Sequence, residues 1–204
     1  MVIKKFQNFD ADSILIIVDV QRSFKQYFTD NYLLALKKYC HEFEQVYQIF
    51  DNHVDGKEVS KDYLYQRQAV VTDHQDLYSF PNQTQIIEKR YNYDVDADFY
   101  KKILDPGVYK TIKEKEKGGS LQRGDFFKTT GGTIIVYIGN NHRWHHMSKK
   151  LYDLFSTLKN RRVIIVGGSS GECLLDIEVC GISMGVDIKK NRDFIYSATK
   201  CPIK

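Results

Sequence analysis

Residues 13–20 read SILIIVDV, an unbroken apolar run that ends in an aspartate followed by a valine. Three later runs have the same character: QAVVTD at 68–73, TIIVYI at 133–138 and RVIIVG at 162–167. A strand without polar alternation is buried on both faces, which is typical of a parallel sheet. These four runs therefore predict the strands of a parallel sheet.

Segments with helical spacing of apolar residues lie among these runs. They cover residues 30–50, 148–159 and 173–184, where apolar side chains recur on roughly one side. Strands that alternate with helices imply crossover connections, with helices on both sides of the sheet. We therefore expect a three-layer α/β/α fold with a mostly parallel sheet.

The composition fits one ordinary domain. The chain has 204 residues, of which 42% are hydrophobic, enough to bury a core. The formal net charge of +4 is mild and does not by itself indicate nucleic acid. No stretch reaches the length of a transmembrane helix and no signal peptide is visible, so we expect a cytoplasmic protein with reduced thiols and no membrane partner. The four cysteines show no C-x-x-C spacing and support neither a zinc knuckle nor a disulfide framework.

The charge-rich segment 94–131, which contains TIKEKEKGGSLQRGD, breaks the pattern. A stretch of this kind usually forms a solvated helix and loop. The alternative is a lid or insertion that closes over a site. Because no internal repeat marks a second domain, we treat residues 1–204 as one domain that carries this charged insertion or lid.

Ligands of open parallel sheets bind beyond the carboxyl ends of the strands. Side chains that can do chemistry follow the four runs at that end: Asp19, Asp73 with His74, His142, and Cys173 after a glycine-rich turn. The pattern predicts that an acid, an imidazole and a thiol converge on one edge of the sheet.

Cys173 lies where a helix begins after the turn GGSSGE. The free N–H groups and the dipole of a helix start stabilise a thiolate, and the same N–H groups can hold an oxyanion. The alternative is a small buried apolar residue, which is our interpretation of Cys180. Asp19 is either a base that takes a thiol proton or a cap for the following turn. We interpret Cys40 and Cys201 as structural or incidental.

Two segments together resemble the isochorismatase-like cysteine hydrolases, a superfamily that includes nicotinamidases. ILIIVDVQRSF at 14–24 matches the opening strand of that superfamily, with Asp19, Gln21 and Phe24 in its Asp-x-Gln-x-x-Phe pattern. VIIVGGSSGECLLDIEVCGISMGVDI at 163–188 is similar to the nucleophile segment, in which a strand runs into a small-residue turn, a cysteine and a helix.

The resemblance implies a Rossmann-like sheet of five or six parallel strands and a hydrolase for a small amide or related C–N bond. In that superfamily an Asp–Lys–Cys triad acts: Asp deprotonates the thiol, Lys stabilises charge and Cys attacks a carbonyl. Asp19 and Cys173 occupy two of these positions. Ser169 and Cys173 match the backbone N–H groups of the oxyanion hole. A cis peptide bond, frequent in that turn, would join Gly168 and Ser169.

The sequence leaves the lysine of the triad open. QIIEKRYNY supplies Lys89 after a short apolar run, but segment 94–131 must then be an insertion. FFKTTGG supplies Lys128 at a more typical spacing from the cysteine. If TIIVYIGNNH is instead the lysine strand, Ile138 or Gly139 stands where lysine should be and the triad is broken. We prefer Lys89.

A metal site is a further expectation from the resemblance. VVTDHQDLYSF at 70–80 is similar to the superfamily's segment after the second strand, which carries metal ligands or substrate contacts in many members. No cofactor is required, and Asp73 and His74 are the candidate ligands of a divalent metal such as zinc. His142 and His146 would share a face if their stretch were helical.

The candidate substrate contacts are Gln21, Phe24 and Trp144, the aromatic rings as pocket walls. We expect a small-molecule substrate. Members of the superfamily often complete the pocket from a neighbouring subunit, which leaves a homo-oligomer open. The alternative function is a catalytically silent member of the fold that binds a metabolite or protein partner. A nucleic-acid role is the weakest reading and rests only on KKNRD at 189–193 and the mild charge excess.

Overall fold

The computed structural model describes residues 14–51, 77–89, 92–93, 106–128, 134–139, 144–197 and 200–203. The strands in these ranges are β1 (Ile14–Val18), β2 (Gln45–Asp51), β3 (Gln83–Lys89), β4 (Asn92–Tyr93), β5 (Phe126–Lys128), β6 (Ile134–Tyr137), β7 (Trp144–Met147), β8 (Arg162–Gly167) and β9 (Asp187–Ile195). The helices are a 3-10 helix (Arg22–Tyr27), α1 (Asp30–Cys40), α2 (Pro106–Lys117), α3 (Lys149–Thr157) and α4 (Cys173–Ser183).

Five strands form the main sheet in the order β3-β2-β1-β8-β9, and every neighbouring pair is parallel. The chain builds outward from β1 through β2 to β3, and later returns to place β8 on the other side of β1. The strand order therefore reverses between β1 and β8. In doubly wound sheets this reversal opens a crevice at the carboxyl ends of the two strands, where ligands bind.

Helices cover both faces of the main sheet. On one face, Leu15 and Ile17 of β1 pack in the cluster that contains α1 residues such as Leu36. On the other face, Ile16 of β1 packs in the cluster that contains residues of α3 and α4 such as Leu154. Every residue of β1 is buried, which explains its lack of polar alternation. The predicted three-layer α/β/α fold is confirmed.

The sequence predicted that the run TIIVYI is a strand of the parallel sheet, and this prediction was wrong. The run forms β6 in a separate antiparallel sheet of order β4-β7-β6-β5. Ile134 and Val136 face the core of the main sheet, whereas Ile135 and Tyr137 pack in the cluster of α2. Since β6 is also buried on both faces, its apolar run has the same appearance as a strand of the parallel sheet.

The helix expected over residues 30–50 was wrong beyond Cys40. The chain forms β2 from Gln45 to Asp51 and inserts it between β1 and β3. The predicted helices of 148–159 and 173–184 are confirmed as α3 and α4. The predicted strand QAVVTD at 68–73 lies outside the described residues.

The charged segment 94–131 is described from residue 106 to 128. There it forms α2 and β5, and Ile112 of α2 packs with Ile135 and Trp144 of the small sheet. In this part, the segment builds and covers the antiparallel sheet. No helix in the described ranges is long and apolar enough to cross a membrane.

Candidate functional site

Asp19 directly follows β1, and its backbone is held by β2 and by Tyr196, which follows β9. Its N–H donates to the Ile49 carbonyl of β2 at 2.9 Å, and its own carbonyl accepts the Tyr196 hydroxyl at 2.6 Å. Its φ of 53° is in the left-handed region, which aspartate tolerates better than most residues. The side chain is 1% exposed. The contacts with β2 and Tyr196 thus fix the backbone of Asp19 at the reversal of strand order.

Lys89 ends β3, and its side chain is fully buried. Its Nζ donates to Oδ2 of Asp19, so the ammonium reaches past the end of β2 to the end of β1. Removal of two charges from water costs several kcal/mol per ion, which mutual attraction and hydrogen bonds must offset. The structure therefore contains a buried, hydrogen-bonded acid–ammonium pair at the carboxyl edge of the sheet.

The turn after β8 packs directly on the backbone of β1 and on Tyr196. A Cβ on Gly167, whose φ is 104°, would lie 2.0 Å from the Val18 carbonyl oxygen, and one on Gly168 would lie 2.2 Å from the Tyr196 ring. The Gly168 N–H donates to Val18 at 3.0 Å. The bond between Gly168 and Ser169 is cis, as the resemblance implies. Only glycine permits this approach of the turn to the strand.

Cys173 is the first residue of α4 and is half-buried. The Ser169 carbonyl accepts the N–H groups of Glu172 and Leu174 at 3.1 Å each, which closes the turn against the helix start. The Ser169 N–H donates to no acceptor in the part of the chain that the structure describes. The thiol therefore lies at a helix start, the position that favours a thiolate.

Tyr196 links the acid and the cysteine electrostatically. Burial raises the pKa of its hydroxyl well above the usual value, and the charges of Asp19, Tyr32 and Cys173 raise it further. The hydroxyl therefore stays protonated and keeps its hydrogen bond to the Asp19 carbonyl. Asp19 and Cys173 both lie within electrostatic reach of one buried hydroxyl.

The structure separates the three sequence alternatives for the lysine. Lys89 meets Asp19, whereas Lys128 is exposed on β5 of the small sheet. Ile138 is buried in the core and Gly139 is exposed, directly after β6. β6 thus belongs to the other sheet and does not supply the position next to Asp19.

The predicted substrate contacts lie in two places. Gln21, two residues after Asp19, is buried, and its backbone forms an isolated antiparallel β-bridge with Leu77. Phe24 is half-buried in the 3-10 helix. Trp144 is 6% exposed in β7 and packs with Tyr137 in the cluster under α2, which includes none of Asp19, Lys89 and Cys173. The structure does not bring Trp144 to the other predicted site residues, because β7 faces this side chain toward α2.

The predicted metal ligands Asp73 and His74, together with His142, lie outside the described residues. The chain is extended over Trp144–Met147, so the helical spacing considered for His142 and His146 does not hold at His146. The described residues contain no group of three or more His, Cys, Asp or Glu side chains that could hold a metal ion. The metal site stays a prediction.

Two residues near the site were not predicted from the sequence. Tyr196 follows β9, and only its contact with Asp19 in three dimensions reveals its part. Gln48 of β2 is fully buried and donates to the Val20 carbonyl at 3.4 Å, while its side-chain oxygen has no partner among the described residues. A glutamine within the apolar stretch VYQIF was the available signal.

The fold and the site define a doubly wound α/β protein with a buried acid–lysine pair and a cysteine at a helix start, both at the carboxyl edge of the main sheet. Comparison of the chain with protein-family models, curated proteins and solved structures yields no match.

Proposed function

We propose that this chain is a cysteine hydrolase of the isochorismatase-like type, acting on a small amide or a related C–N bond. The observation that carries the proposal is the buried pair of Lys89 and Asp19 at the sheet edge where Cys173 begins α4. A buried carboxylate held by one lysine and placed near a helix-start thiol suits a proton acceptor for that thiol. The Asp-x-Gln-x-x-Phe pattern and the turn into the cysteine add support.

In the proposed first step, Asp19 accepts the Sγ proton of Cys173 and the thiolate attacks the substrate carbonyl carbon. The N–H groups of Ser169 and Cys173 stabilise the oxyanion that forms. The C–N bond then breaks, and the leaving amine takes the proton from Asp19. A thioester on Cys173 remains, while Lys89 holds Asp19 in position and favours its ionised form.

In the second step, Asp19 takes a proton from water and the hydroxide attacks the thioester carbonyl. The C–S bond breaks, the thiolate regains the proton from Asp19, and the carboxylic acid leaves. The cycle needs no metal and no other cofactor, and a divalent metal at Asp73 and His74 stays a separate prediction. Since it needs a free thiol, the proposal places the chain in the reducing cytoplasm.

Selective alkylation tests the activated thiol. We expect limiting iodoacetamide at neutral pH, followed by peptide mapping, to label Cys173 faster than Cys201, which is also half-buried and serves as the matched control. Burial raises the pKa of Cys40 to about 12, so this cysteine serves as an unreactive reference. Asp19→Asn should slow the labelling of Cys173. Equal labelling of Cys173 and Cys201 in the wild type would count against the proposal.

Turnover is tested with a panel of small aliphatic and aromatic carboxamides, with ammonia release as the readout. Cys173→Ala should abolish release, whereas Cys201→Ala should leave it unchanged. A reactive Cys173 without turnover of any carboxamide would favour the catalytically silent metabolite binder. Equal ammonia release by the wild type and Cys173→Ala would show that this cysteine is not the nucleophile.

A further inference from the structure

A cavity of about 290 Å³ lies between the end of β9 and the turn that leads into α4. Its volume is near the lower end of small-molecule sites, which span roughly 300–1,000 Å³. Its lining includes Ser170 of the turn but none of Asp19, Lys89 and Cys173. It is therefore a different place from the proposed catalytic site, although the two share the turn.

Among the described residues, every charged side chain that lines the cavity is basic. Lys190, Arg192 and Lys200 all contribute to the lining. Glu178 of α4 binds the Lys190 ammonium at 2.7 Å, outside the lining. Within the described ranges, no carboxylate pairs with Arg192 or Lys200. The cavity thus has uncompensated positive charge from an arginine and a lysine.

The local backbone accounts for the position of these cations. Ile165 of β8 lies opposite Lys190, but Gly167 lies opposite Ile195, so β9 inserts extra residues between the two pairs, among them Arg192. Such a bulge on an edge strand re-aims side chains. At the other rim, the Ser197 N–H donates to the Lys200 carbonyl at 2.8 Å and anchors this residue's backbone.

The remaining lining is mixed in character. Leu174, Ile195 and Pro202 form what we call the apolar wall, and Ser170 and Ser197 supply hydroxyl groups. An oxyanion suits the cations and hydroxyls, because charge-assisted hydrogen bonds to phosphate or carboxylate are among the strongest in proteins. The apolar wall suits a carbon skeleton attached to that group.

We propose that this cavity binds a small organic anion, with its phosphate or carboxylate group on Arg192 and Lys200 and its carbon skeleton on the apolar wall. Tyr196 also lines the cavity, and its hydroxyl donates to the Asp19 carbonyl. Tyr196 therefore contacts both the proposed anion site and the backbone of Asp19. Its binding depends on charge and shape and does not require that the chain be a hydrolase.

Calorimetric titration of the full chain at fixed ionic strength tests the proposal, with phenyl phosphate, benzoate and inorganic phosphate as probes. We expect saturable binding at one site for phenyl phosphate or benzoate, and the tighter of the two identifies the anionic group. Arg192→Gln and Lys200→Gln should each weaken it about tenfold, since each removes a charge-assisted hydrogen bond. Glu178→Gln should tighten it, because Lys190 then loses its acidic partner.

Lys189→Gln is the matched control: this residue precedes Lys190 on β9, pairs with Asp187 at 3.0 Å and does not line the cavity. Equal weakening by Lys189→Gln would reduce the effect to general surface charge and overturn the proposal. No saturable binding of any probe would overturn it too, as would inorganic phosphate binding as tightly as both organic probes. Cys173→Ala should bind like the wild type, which separates this test from that of the hydrolase.

Discussion

Lys89 is a long, charged side chain with no exposed surface, and its partner Asp19 is 1% exposed. A buried ion pair contributes little net stability compared with a well-packed apolar pair, because both charges have lost their water. Loss of one partner is different, since it leaves the other charge buried and unpaired. Substitution of either residue alone should therefore destabilise the protein.

We predict that Lys89→Met lowers the free energy of unfolding by about 3–5 kcal/mol, the usual cost of breaking a buried ion pair from one side. Adding Asp19→Asn to Lys89→Met should cost much less than Asp19→Asn costs in the wild type, because the partner charge is already gone. Urea unfolding of the four proteins measures this. Lys149→Met, which removes an exposed partner of Asp153, should have little effect. Simple additivity of the two site substitutions would contradict the prediction.

The sequence alone did not decide among the lysines, and the reason is physical. Every lysine has the same charge and reach, so what distinguishes Lys89 is the strand that carries it. β3 lies two strands from β1 only because β2 is inserted between them. The segment of β2 reads as helical from its apolar spacing, so the position of Lys89 depended on an element that the sequence did not reveal. The positions of Asp19 and Cys173 depend only on β1, β8 and α4, and the sequence predicted all three of these elements.

At the scale of elements, the connection from β8 to α4 contains one glycine with no room for a Cβ and another with ample room for one. Gly167 has a φ of 104° and no room for a Cβ beside Val18, whereas Gly171 has nothing within 4 Å of where its Cβ would lie. The two glycines are four residues apart in one turn. Gly167 is therefore required both by the close approach to Val18 and by its positive φ, and neither requirement applies to Gly171.

We predict that Gly167→Ala destabilises the protein by about 1–3 kcal/mol or more, because a methyl group in this place must push the turn away from β1 and because alanine is strained at a φ of 104°. Gly171→Ala should leave stability close to that of the wild type. Thermal unfolding of both variants makes the comparison. If Gly171→Ala were as harmful as Gly167→Ala, the close approach to Val18 would not be the cause. The displaced turn should also slow alkylation of Cys173.

The strands show what an apolar run can and cannot indicate. β1, β6 and β8 are similar runs, and nearly all their residues are buried. For β1 and β8, burial comes from helices on both faces of the parallel sheet. For β6, it comes from the main core on one face and from α2 on the other. An apolar run predicts that a strand is buried on both faces, but it does not indicate which elements cover those faces. The sequence therefore did not predict the second sheet.

At the scale of the whole molecule, the α1 side of the main sheet contains several ionisable side chains that must stay neutral. Burial raises the pKa of Tyr32 and Tyr196 well above the usual value, and that of Cys40 from 9.0 to about 12. Above its ordinary pKa such a group loses its proton in the unfolded chain but keeps it in the folded one. Stability is therefore complete below the ordinary pKa and falls as the pH rises toward the folded pKa.

We predict that the free energy of unfolding falls once the pH exceeds about 9.0, with Cys40 contributing up to about 1.4 kcal/mol per pH unit until its folded pKa of about 12. Urea unfolding at a series of alkaline pH values measures the slope. In Cys40→Ala the decline above pH 9.0 should be less steep, and what remains of it comes from Cys180, because burial also raises the pKa of that thiol well above 9.0. An unchanged profile in this variant would show that Cys40 is not the group responsible.

The end of β3 has a mechanical consequence for the ion pair. Lys89 closes β3, and after two residues Asn92 opens β4, which pairs with β7 in the small sheet. A connection this short spans at most about 3.6 Å per residue, so it limits how far the ends of β3 and β4 can separate. Asn92, and with it the β4 end of the small sheet, therefore stays within about 11 Å of Lys89, the reach of three residues. A layer that carries none of the proposed catalytic groups is thereby tied through the chain to the ammonium that binds Asp19.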